Sequence, residues 1–435
     1  MNTVSGFSKF TKAQKIDFLA KNYFSEPDSA VELLQSFWHP DEKSQQTFDE
    51  FSENTLTNFY FPYGVVPNLL LNKKNYCVPM VIEESSVVAA AANASNFWFS
   101  RGGVSAEVLS FEKVGQVHFI YKGPKEDLFK FFEKIKPTLL SAVDPLAENM
   151  KLRGGGILDM YLKDLCELEE GLFQIFMTFD TCDAMGANFI NSILELVARL
   201  FSEKSEEEGF LKIEIIMSIL SNYTPNCLVR ASLSCPISDL EDPRLGMSAQ
   251  EFAKRFEYAV KISKADIYRA TTHNKGIMNG IDSVVMATGN DFRAVEACLH
   301  AYASRSGKYQ GLTELSLKDN IFHYTLEIPL ALGTVGGLTS LHPLARLSLN
   351  MLGNPEAKEL MKISASIGLL QNFSAIRSLI TSGIQKGHMK MHLLNILNHM
   401  GATEEERELA KEFFRTRVIS FKAVKEFLGS QRTLQ

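Results

Sequence analysis

Apolar and polar positions alternate through residues 114–122, a pattern typical of a half-buried β-strand. Through residues 125–136 the apolar positions recur at helical spacing instead. Two more strand-like runs cover residues 157–165 and 172–181, and the segment 167–171 between them predicts a turn. This part of the chain therefore predicts the order strand, helix, strand, strand.

A second helix is predicted after Asp183, ending in the polar run 202–209, and a last strand follows it. The residues on the apolar face of the helix would be Phe189, Ile193, Val197 and Leu200. The apolar residues of the last strand would be Leu211, Ile213, Ile215 and Met217. The complete order, β-α-β-β-α-β, predicts a ferredoxin-like unit.

Longer helical sequence flanks this unit on both sides, which predicts an α+β fold built from two domains and a tail. A large, mainly helical domain would comprise residues 1–111 and 222–375, with the small ferredoxin-like domain, residues 112–221, inserted into it. Capping-box spacing predicts helix starts at Ser248 and at Thr403. Glycines at 383, 387 and 401 divide the helical C-terminal segment, residues 376–435, which we expect to act as a mobile flap.

Composition and charge exclude several classes of protein. The 45 basic and 51 acidic residues give a net charge of −6, which argues against nucleic acid as the main partner. No apolar run approaches the roughly 20 residues that a membrane helix needs, and the polar N-terminus does not resemble a signal peptide. We therefore expect a cytoplasmic protein that does not bind membranes. The six cysteines are scattered without a CxxC pair, so reduced thiols are expected and a metal site is not.

The segment 180–188 leaves a strand and enters a helix, a position that can bind an anion. Asp183 could cap the helix, while Gly186 would let a phosphate approach the free N–H groups of the first turn. A capped helix with a packing glycine explains the same residues. The glycine clusters 154–156 and 333–337 are equally open between phosphate cradles and tight turns.

The segment 268–280 is densely polar, as expected of a site for an anionic substrate or of a solvated loop. Its polar side chains are Arg269, His273, Asn274, Lys275 and Asn279, interspersed with glycines. Farther along the chain, Asp291 has the position of a helix N-cap.

Two further features carry ionisable side chains in suggestive places. Glu83 and Glu84 lie between apolar runs, where a carboxylate is costly unless it is paired or protonated. His388 precedes His392 by four residues, a spacing that fits a metal pair or, more simply, one exposed helix face.

Taken together, these segments resemble 3-hydroxy-3-methylglutaryl-coenzyme A reductase of the soluble, second class. The resemblance covers roughly residues 50–430, and its motifs occur in the order and approximate spacing of the family. The matching segments are 84–90 (ESSVVAA), 183–188 (DAMGAN), 269–280 (RATTHNKGIMNG), 288–291 (TGND), 371–372 (QN) and 387–389 (GHM).

The resemblance implies two successive reductions of a thioester by NADH or NADPH, releasing mevalonate and free coenzyme A. Among the catalytic positions, Lys275 would stabilise the oxyanion and Glu84 would supply a proton. Asp291 would lie between them and tune both, and His388 would protonate the departing thiolate. Ser86, Arg269 and Asn279 match substrate-binding positions. The residues that match the cofactor's diphosphate site are Asp183, Met185, Gly186, Ala187 and Asn188.

The family assembles its site between two subunits, so the resemblance also implies a homodimer or a larger assembly of dimers. The segment between Asp144 and Gly154, which bears on cofactor choice, differs in spacing from the family and leaves NADH and NADPH both open. The alternative function is a coenzyme A thioester-binding protein or hydrolase without redox activity, for which Arg269, Lys275 and His388 would suffice. The segment 183–188 speaks against that alternative.

Overall fold

The computed structural model describes residues 4–210, 212–243, 246–381, 393–415 and 417–433. The chain divides into two compact units, one of residues 1–62 with 341–343 and one of residues 63–340 with 344–435.

The first unit contains the helices α1 (Lys12–Tyr23), α2 (Pro27–Ser36) and α3 (Glu42–Asp49). A capping box between Thr11 and Gln14 begins α1. The Lys12 ammonium lies 2.8 Å from the Asp49 carboxylate, which ties α1 to the end of α3. The aromatic ring of His342 packs against two phenylalanine rings of this unit.

The remaining elements form two four-stranded sheets and a hairpin with helices around them. The strands are β1 (Tyr63–Leu71), β2 (Lys74–Val81), β3 (Ser105–Val108), β4 (Lys113–Ile120), β5 (Gly156–Asp164), β6 (Leu172–Asp180), β7 (Glu214–Ser221), β8 (Leu228–Pro236), β9 (Thr313–Ser316) and β10 (Ile321–Pro329). The helices are α4 (Val87–Phe99), α5 (Lys125–Lys151), α6 (Ala187–Glu207), α7 (Ala249–Ala265), α8 (Ile267–Ala287), α9 (Phe292–Ala303), α10 (Leu338–Leu341), α11 (Pro343–Met351), α12 (Ala357–Ile380), α13 (Glu404–Phe413) and α14 (Phe421–Thr433).

Helix α12 passes through the centre of the largest hydrophobic core, which it shares with α4, α7, α8 and the sheet β3-β8-β10-β9. Glycines let α8 and α12 approach closely: a Cβ on Gly280 would lie 2.9 Å from the Ile367 carbonyl oxygen. A Cβ on Gly368 would lie 2.7 Å from the Ile281 side chain. Gly280, within the polar segment 268–280, thus serves the packing of α8 against α12.

The second sheet has the strand order β5-β6-β4-β7, and all its neighbouring strands are antiparallel. Helices α5 and α6 bury their apolar sides with it in a separate hydrophobic core. Helix α5 is longer than the predicted 125–136 and passes through Pro137 and Pro145, because its buried stripe continues as far as Met150. Helix α6 likewise continues through the polar run to Glu207.

The prediction for the last strand of this sheet was wrong in two respects. Strand β7 begins at Glu214, so Ile213 precedes it instead of belonging to it. Met217 was expected on the apolar face with Ile215, but its side chain is 51% exposed. The register between β4 and β7 shifts between His118 and Phe119, so the side chains beyond Ile215 change faces.

The C-terminal helices α13 and α14 form a third hydrophobic core with residues 393–402. Thr403 and Glu406 form the predicted capping box at the start of α13, and Arg432 in α14 pairs with Glu406 at 2.6 Å. Over the ranges given above, no helix is both long and apolar enough to cross a membrane.

Candidate active site

Glu84 lies in the loop that connects β2 to α4. The side chain of Glu83 points to solvent, whereas Glu84 is partly buried. Ser86 ends the loop with a φ of 76° and occupies the N-cap position of α4, where its hydroxyl caps no N–H group. The apolar runs on both sides of the loop are strand β2 and helix α4. A charged partner for the Glu84 carboxylate must therefore come from another element.

Lys275 and Asn279 supply that partner from α8, where they lie one turn apart on the same face. The Lys275 ammonium donates a hydrogen bond to Glu84 Oε2. Asn279 Nδ2 approaches the same oxygen at 3.4 Å. The Glu84 side chain is 38% exposed and that of Lys275 57%, so a ligand can reach both. All three residues belong to one chain, so the pair of Glu84 and Lys275 needs no second subunit to form.

His273 and Asn274, also singled out by sequence, hold α8 in place. His273 Nε2 lies 2.7 Å from Thr313 Oγ1, and Asn274 bridges the backbone of Gln310 and Leu312. Burial and the nearby Arg269 charge lower the pKa of His273 to about 3, so its imidazole is neutral. Neither side chain is available to a ligand.

Arg269 is half-buried, and its guanidinium makes no hydrogen bond or ion pair with any residue that the structure describes. Burial lowers the pKa of Arg269, because removing a cation from water disfavours its charged form. A desolvated guanidinium without a carboxylate partner is suited to bind an anionic group of a ligand.

Asp291 is the N-cap of α9, as its sequence position suggested. Its carboxylate accepts hydrogen bonds from the backbone N–H groups of Arg293 and Ala294 and from the Arg293 guanidinium. Partial burial raises the pKa of Asp291, but these hydrogen bonds outweigh that effect and lower it overall. Among the described residues Asp291 forms no ion pair with Lys275, because its oxygens are engaged by the start of α9 and by Arg293. Its expected position between Lys275 and Glu84 stays a prediction.

The segment 181–188, between β6 and α6, forms a second feature of interest. Asp183 does not cap α6 as proposed, because its side chain accepts a hydrogen bond from the Ala357 N–H at the start of α12, at 2.8 Å. The N-cap of α6 is Gly186, with a φ of 90°, and no side chain caps this helix. A Cβ on Gly186 would lie 2.4 Å from Thr181 Cγ2.

These observations make the start of α6 suited to an anion, as the predicted diphosphate site requires. The first-turn N–H groups, which include those of Ala187 and Asn188, receive no side-chain acceptor, and the first turn carries no acidic residue. Free N–H groups and the positive end of the helix dipole favour an anion at this point. Glycine at the N-cap allows the backbone itself to approach such a ligand.

Two residues that support this segment were missed by sequence reasoning. Asn290 binds the backbone of Gly333 through both side-chain atoms, at 2.8 and 2.9 Å, and thereby links the segment that ends at Asp291 to the glycine cluster 333–337. Gly333 in turn packs against Met185, where a Cβ would lie 2.5 Å from the backbone nitrogen. The other missed residue is Lys113, at the start of strand β4. A charged residue at the start of an otherwise apolar strand could have drawn attention to it in the sequence.

His388 lies outside the described residues, as do the glycines at 383 and 387. Its predicted role therefore stays a prediction from sequence.

Comparisons with known proteins agree with the resemblance seen in the sequence. The family model described as hydroxymethylglutaryl-coenzyme A reductase matches residues 13–393. A 3-hydroxy-3-methylglutaryl-coenzyme A reductase of Archaeoglobus fulgidus is 34% identical over 408 residues, covering 93% of this chain and 88% of the relative. A probable enzyme of the same name from Borreliella burgdorferi is 36% identical over 376 residues, covering 85% and 84%.

Solved structures of the class II enzyme from Streptococcus pneumoniae are also similar. One, bound to NADPH in open conformations, has a TM-score of 0.72 and 35% identity, and the match covers 93% of this chain and 99% of the other. A second has the same TM-score at 34% identity and covers 99% of this chain and all of the other. The mixed α+β architecture of this chain is thus that of the class II structures.

Proposed function

Since the chain belongs to the hydroxymethylglutaryl-coenzyme A reductase family, we propose that it reduces 3-hydroxy-3-methylglutaryl-coenzyme A to mevalonate and free coenzyme A. The overall reaction consumes two molecules of NADH or NADPH and two protons. The observation that carries the proposal is the contact between the Lys275 ammonium and the Glu84 carboxylate, two residues from distant parts of the sequence.

Lys275 is the residue proposed to stabilise negative charge on the reacting carbonyl oxygen. When bound, the reduced nicotinamide supplies the hydride for each of the two reductions. A fixed ammonium directed at the developing oxyanion contributes about 3 kcal/mol of transition-state stabilisation by analogy with other oxyanion donors. Its partial exposure leaves the ammonium within reach of a substrate.

Glu84 is the proposed source of the proton that the product hydroxyl requires. Its Oε2 shares a hydrogen bond with Lys275 Nζ, so a proton can pass between the two groups without crossing solvent. Asn279 Nδ2 is directed at the same oxygen and would hold this geometry. The role proposed for Asp291, tuning Lys275 and Glu84, rests on the sequence resemblance alone.

The remaining proposed roles concern binding and departure of the substrate. Arg269, half-buried and without a carboxylate partner, would bind the carboxylate of the hydroxymethylglutaryl group. Ser86 and Asn279, which match substrate-binding positions, would contact the same group. His388 would protonate the departing coenzyme A thiolate, a role that rests on sequence alone.

The proposed domain organisation keeps the predicted boundaries. Residues 112–221 would be a ferredoxin-like cofactor-binding domain, supported by the sheet order β5-β6-β4-β7 and by its separate hydrophobic core. Residues 183–188 would hold the diphosphate at the start of α6. Residues 1–111 and 222–375 would form the substrate domain and residues 376–435 the flap, although α12 continues through the boundary at 375.

We also propose that the protein is a homodimer, or a larger assembly of dimers. Large apolar side chains are exposed around the junction of α7 and α8, namely Tyr258, Ile262, Ile267 and Tyr268. Patches of this kind commonly mark a protein–protein interface. The same junction leads into the segment that carries Arg269 and Lys275, so a second subunit docked there would border the site.

To test the function, purified protein is incubated with 3-hydroxy-3-methylglutaryl-coenzyme A and either NADH or NADPH. Cofactor absorbance and mevalonate are measured together. Two cofactor molecules oxidised for each mevalonate formed would support the proposal. Release of coenzyme A without oxidation of the cofactor would contradict it.

A further inference from the structure

Lys113, the first residue of β4, is a buried cation to which the proposed mechanism assigns no role. Only 3% of the residue is exposed. Its Nζ donates hydrogen bonds to Thr181 Oγ1 at 2.6 Å, to the Ala184 carbonyl at 2.7 Å and to the Met185 carbonyl at 3.0 Å. An ammonium has three donors, so all three are used. Every acceptor belongs to the segment between β6 and the start of α6.

The acceptors of Lys113 are neutral, and no carboxylate lies within ion-pair distance of it in the described part of the chain. The acidic groups that act on it from farther away are the carboxyls of Asp180 and Asp183 and the thiols of Cys182 and Cys227. The Phe111 ring lies 5.3 Å from the ammonium, and Lys358 approaches the same ring at 5.1 Å. The cation is thus buried without a contacting counter-ion, an arrangement that costs free energy unless an anion comes near.

The hydrogen bonds of Lys113 set the direction of the backbone that begins α6. The C=O and N–H groups of a trans peptide point in opposite directions, and the described chain has no cis peptide bond. With the Met185 carbonyl held by Lys113, the N–H of Gly186 must point away from the ammonium. Thr181, whose hydroxyl also donates to the Ala184 carbonyl, is the side chain against which Gly186 packs. Lys113 therefore fixes the turn that presents the free N–H groups.

We propose that Lys113 is the positioning residue of the cofactor's diphosphate site, and that its protonation and the binding of the dinucleotide favour one another. This inference rests on the proposed cofactor site at the start of α6. The protonated side chain holds the turn in the binding geometry, and the diphosphate supplies the negative charge that the buried ammonium lacks.

The proposal has a consequence for pH dependence. Burial lowers the pKa of Lys113 to about 8, against the opposing effect of the nearby acidic groups. A bound diphosphate would raise that pKa, so by linkage binding takes up a proton and the affinity falls above about pH 8. Burial raises the pKa of Cys182, and raises that of Cys227 to about 12. Ionisation of these thiols therefore does not explain a loss of affinity that begins near pH 8.

The test measures the dissociation constants of NADH and NADPH by fluorescence titration between pH 7 and 9.5, above the second ionisation of a phosphate monoester at about 6. Wild-type affinity should be constant near pH 7 and should fall by up to tenfold per pH unit above about pH 8. Calorimetric titration in two buffers of different ionisation enthalpy should show proton uptake at pH 8.5. Neither measurement requires a variant to fold.

Lys113→Met should weaken dinucleotide binding at pH 7 at least tenfold, and should remove both the pH dependence and the proton uptake. Its affinity for the coenzyme A thioester should be unchanged. Lys358→Met is the matched control, since it removes a nearby positive charge that does not contact the 181–185 segment. In this variant the affinity for the dinucleotide should still fall above about pH 8. Wild-type binding that is independent of pH, without proton uptake, would overturn the inference. If wild type bound neither dinucleotide, the proposed cofactor site itself would fail instead.

Discussion

Replacing Gly186 by alanine tests whether the start of α6 binds the cofactor. The residue has a φ of 90°, which side chains disfavour, and its new Cβ would lie 2.4 Å from Thr181 Cγ2 and 2.8 Å from Thr181 Cβ. Neither atom is the far end of a flexible chain, so the backbone or Thr181 must move. Because Thr181 is bound to Lys113, the displacement reaches the turn that presents the first N–H groups of the helix.

Gly209→Ala provides the matched control at the other end of the same helix. Gly209 has a φ of 66°, but a Cβ there would meet nothing within 4 Å. In this control only the unfavourable backbone conformation matters, and it should lower the free energy of unfolding by about 1–2 kcal/mol. Gly186→Ala should lose more, because the steric overlap adds to a similar penalty.

Displacing the turn should also weaken cofactor binding. An anion at a helix N-terminus is stabilised by about 1 kcal/mol, and by up to about 2 kcal/mol where the site is partly buried. Displacement of the turn should therefore raise the NADPH dissociation constant by about 5-fold to 30-fold. Urea unfolding and fluorescence titration measure the two effects. Unchanged cofactor affinity in a Gly186→Ala protein that is destabilised more than Gly209→Ala would refute the assignment of the diphosphate site.

Three further predictions concern the catalytic residues and α8. Glu84→Gln should bind substrate but lose at least about 100-fold in kcat, since an amide cannot give up the proton, whereas Glu83→Gln should remain close to wild type; the reverse order would mean that the wrong carboxylate has been chosen. Subunits carrying Glu84→Gln mixed with subunits carrying Lys275→Ala should recover no activity, because the two residues pair within one chain, and recovery after subunit exchange would show a site shared across subunits. For His273, whose pKa is about 3 when folded and about 6.5 when unfolded, the unfolding free energy should be fully retained above pH 6.5 and decrease as the pH falls from 6.5 towards 3. Urea unfolding should show wild type losing up to about 1.4 kcal/mol per pH unit more than His273→Gln, and parallel curves would contradict the assignment.

Local sequence pattern was sufficient for much of the small sheet. The strands predicted at 157–165 and 172–181 differ from β5 and β6 by one residue at their ends. Periodicity succeeds there because, in each strand, every second side chain packs into the same hydrophobic core. It failed at Met217, since a register shift depends on the neighbouring strand and leaves no mark in the sequence of β7.

The candidate site shows the same division between local and tertiary information. The N-cap role of Asp291 follows from its own segment, and the structure shows that capping. The pairing of Glu84 with Lys275 joins residues 191 positions apart, so the residues could be proposed from resemblance but their contact could not. Asp183 was assigned to the nearest helix, whereas tertiary packing directs it to α12.

Isotope transfer tests the central claim most directly. The protein would be supplied with its thioester substrate and a reduced nicotinamide that carries deuterium at both C4 positions, and the mevalonate would be analysed by mass spectrometry. Two successive reductions at one carbon predict mevalonate heavier by two mass units, with both deuterium atoms on the carbinol carbon that was the thioester carbonyl, and no such product from Lys275→Ala. Hydroxymethylglutarate released without deuterium, with the cofactor left unoxidised, would contradict the account.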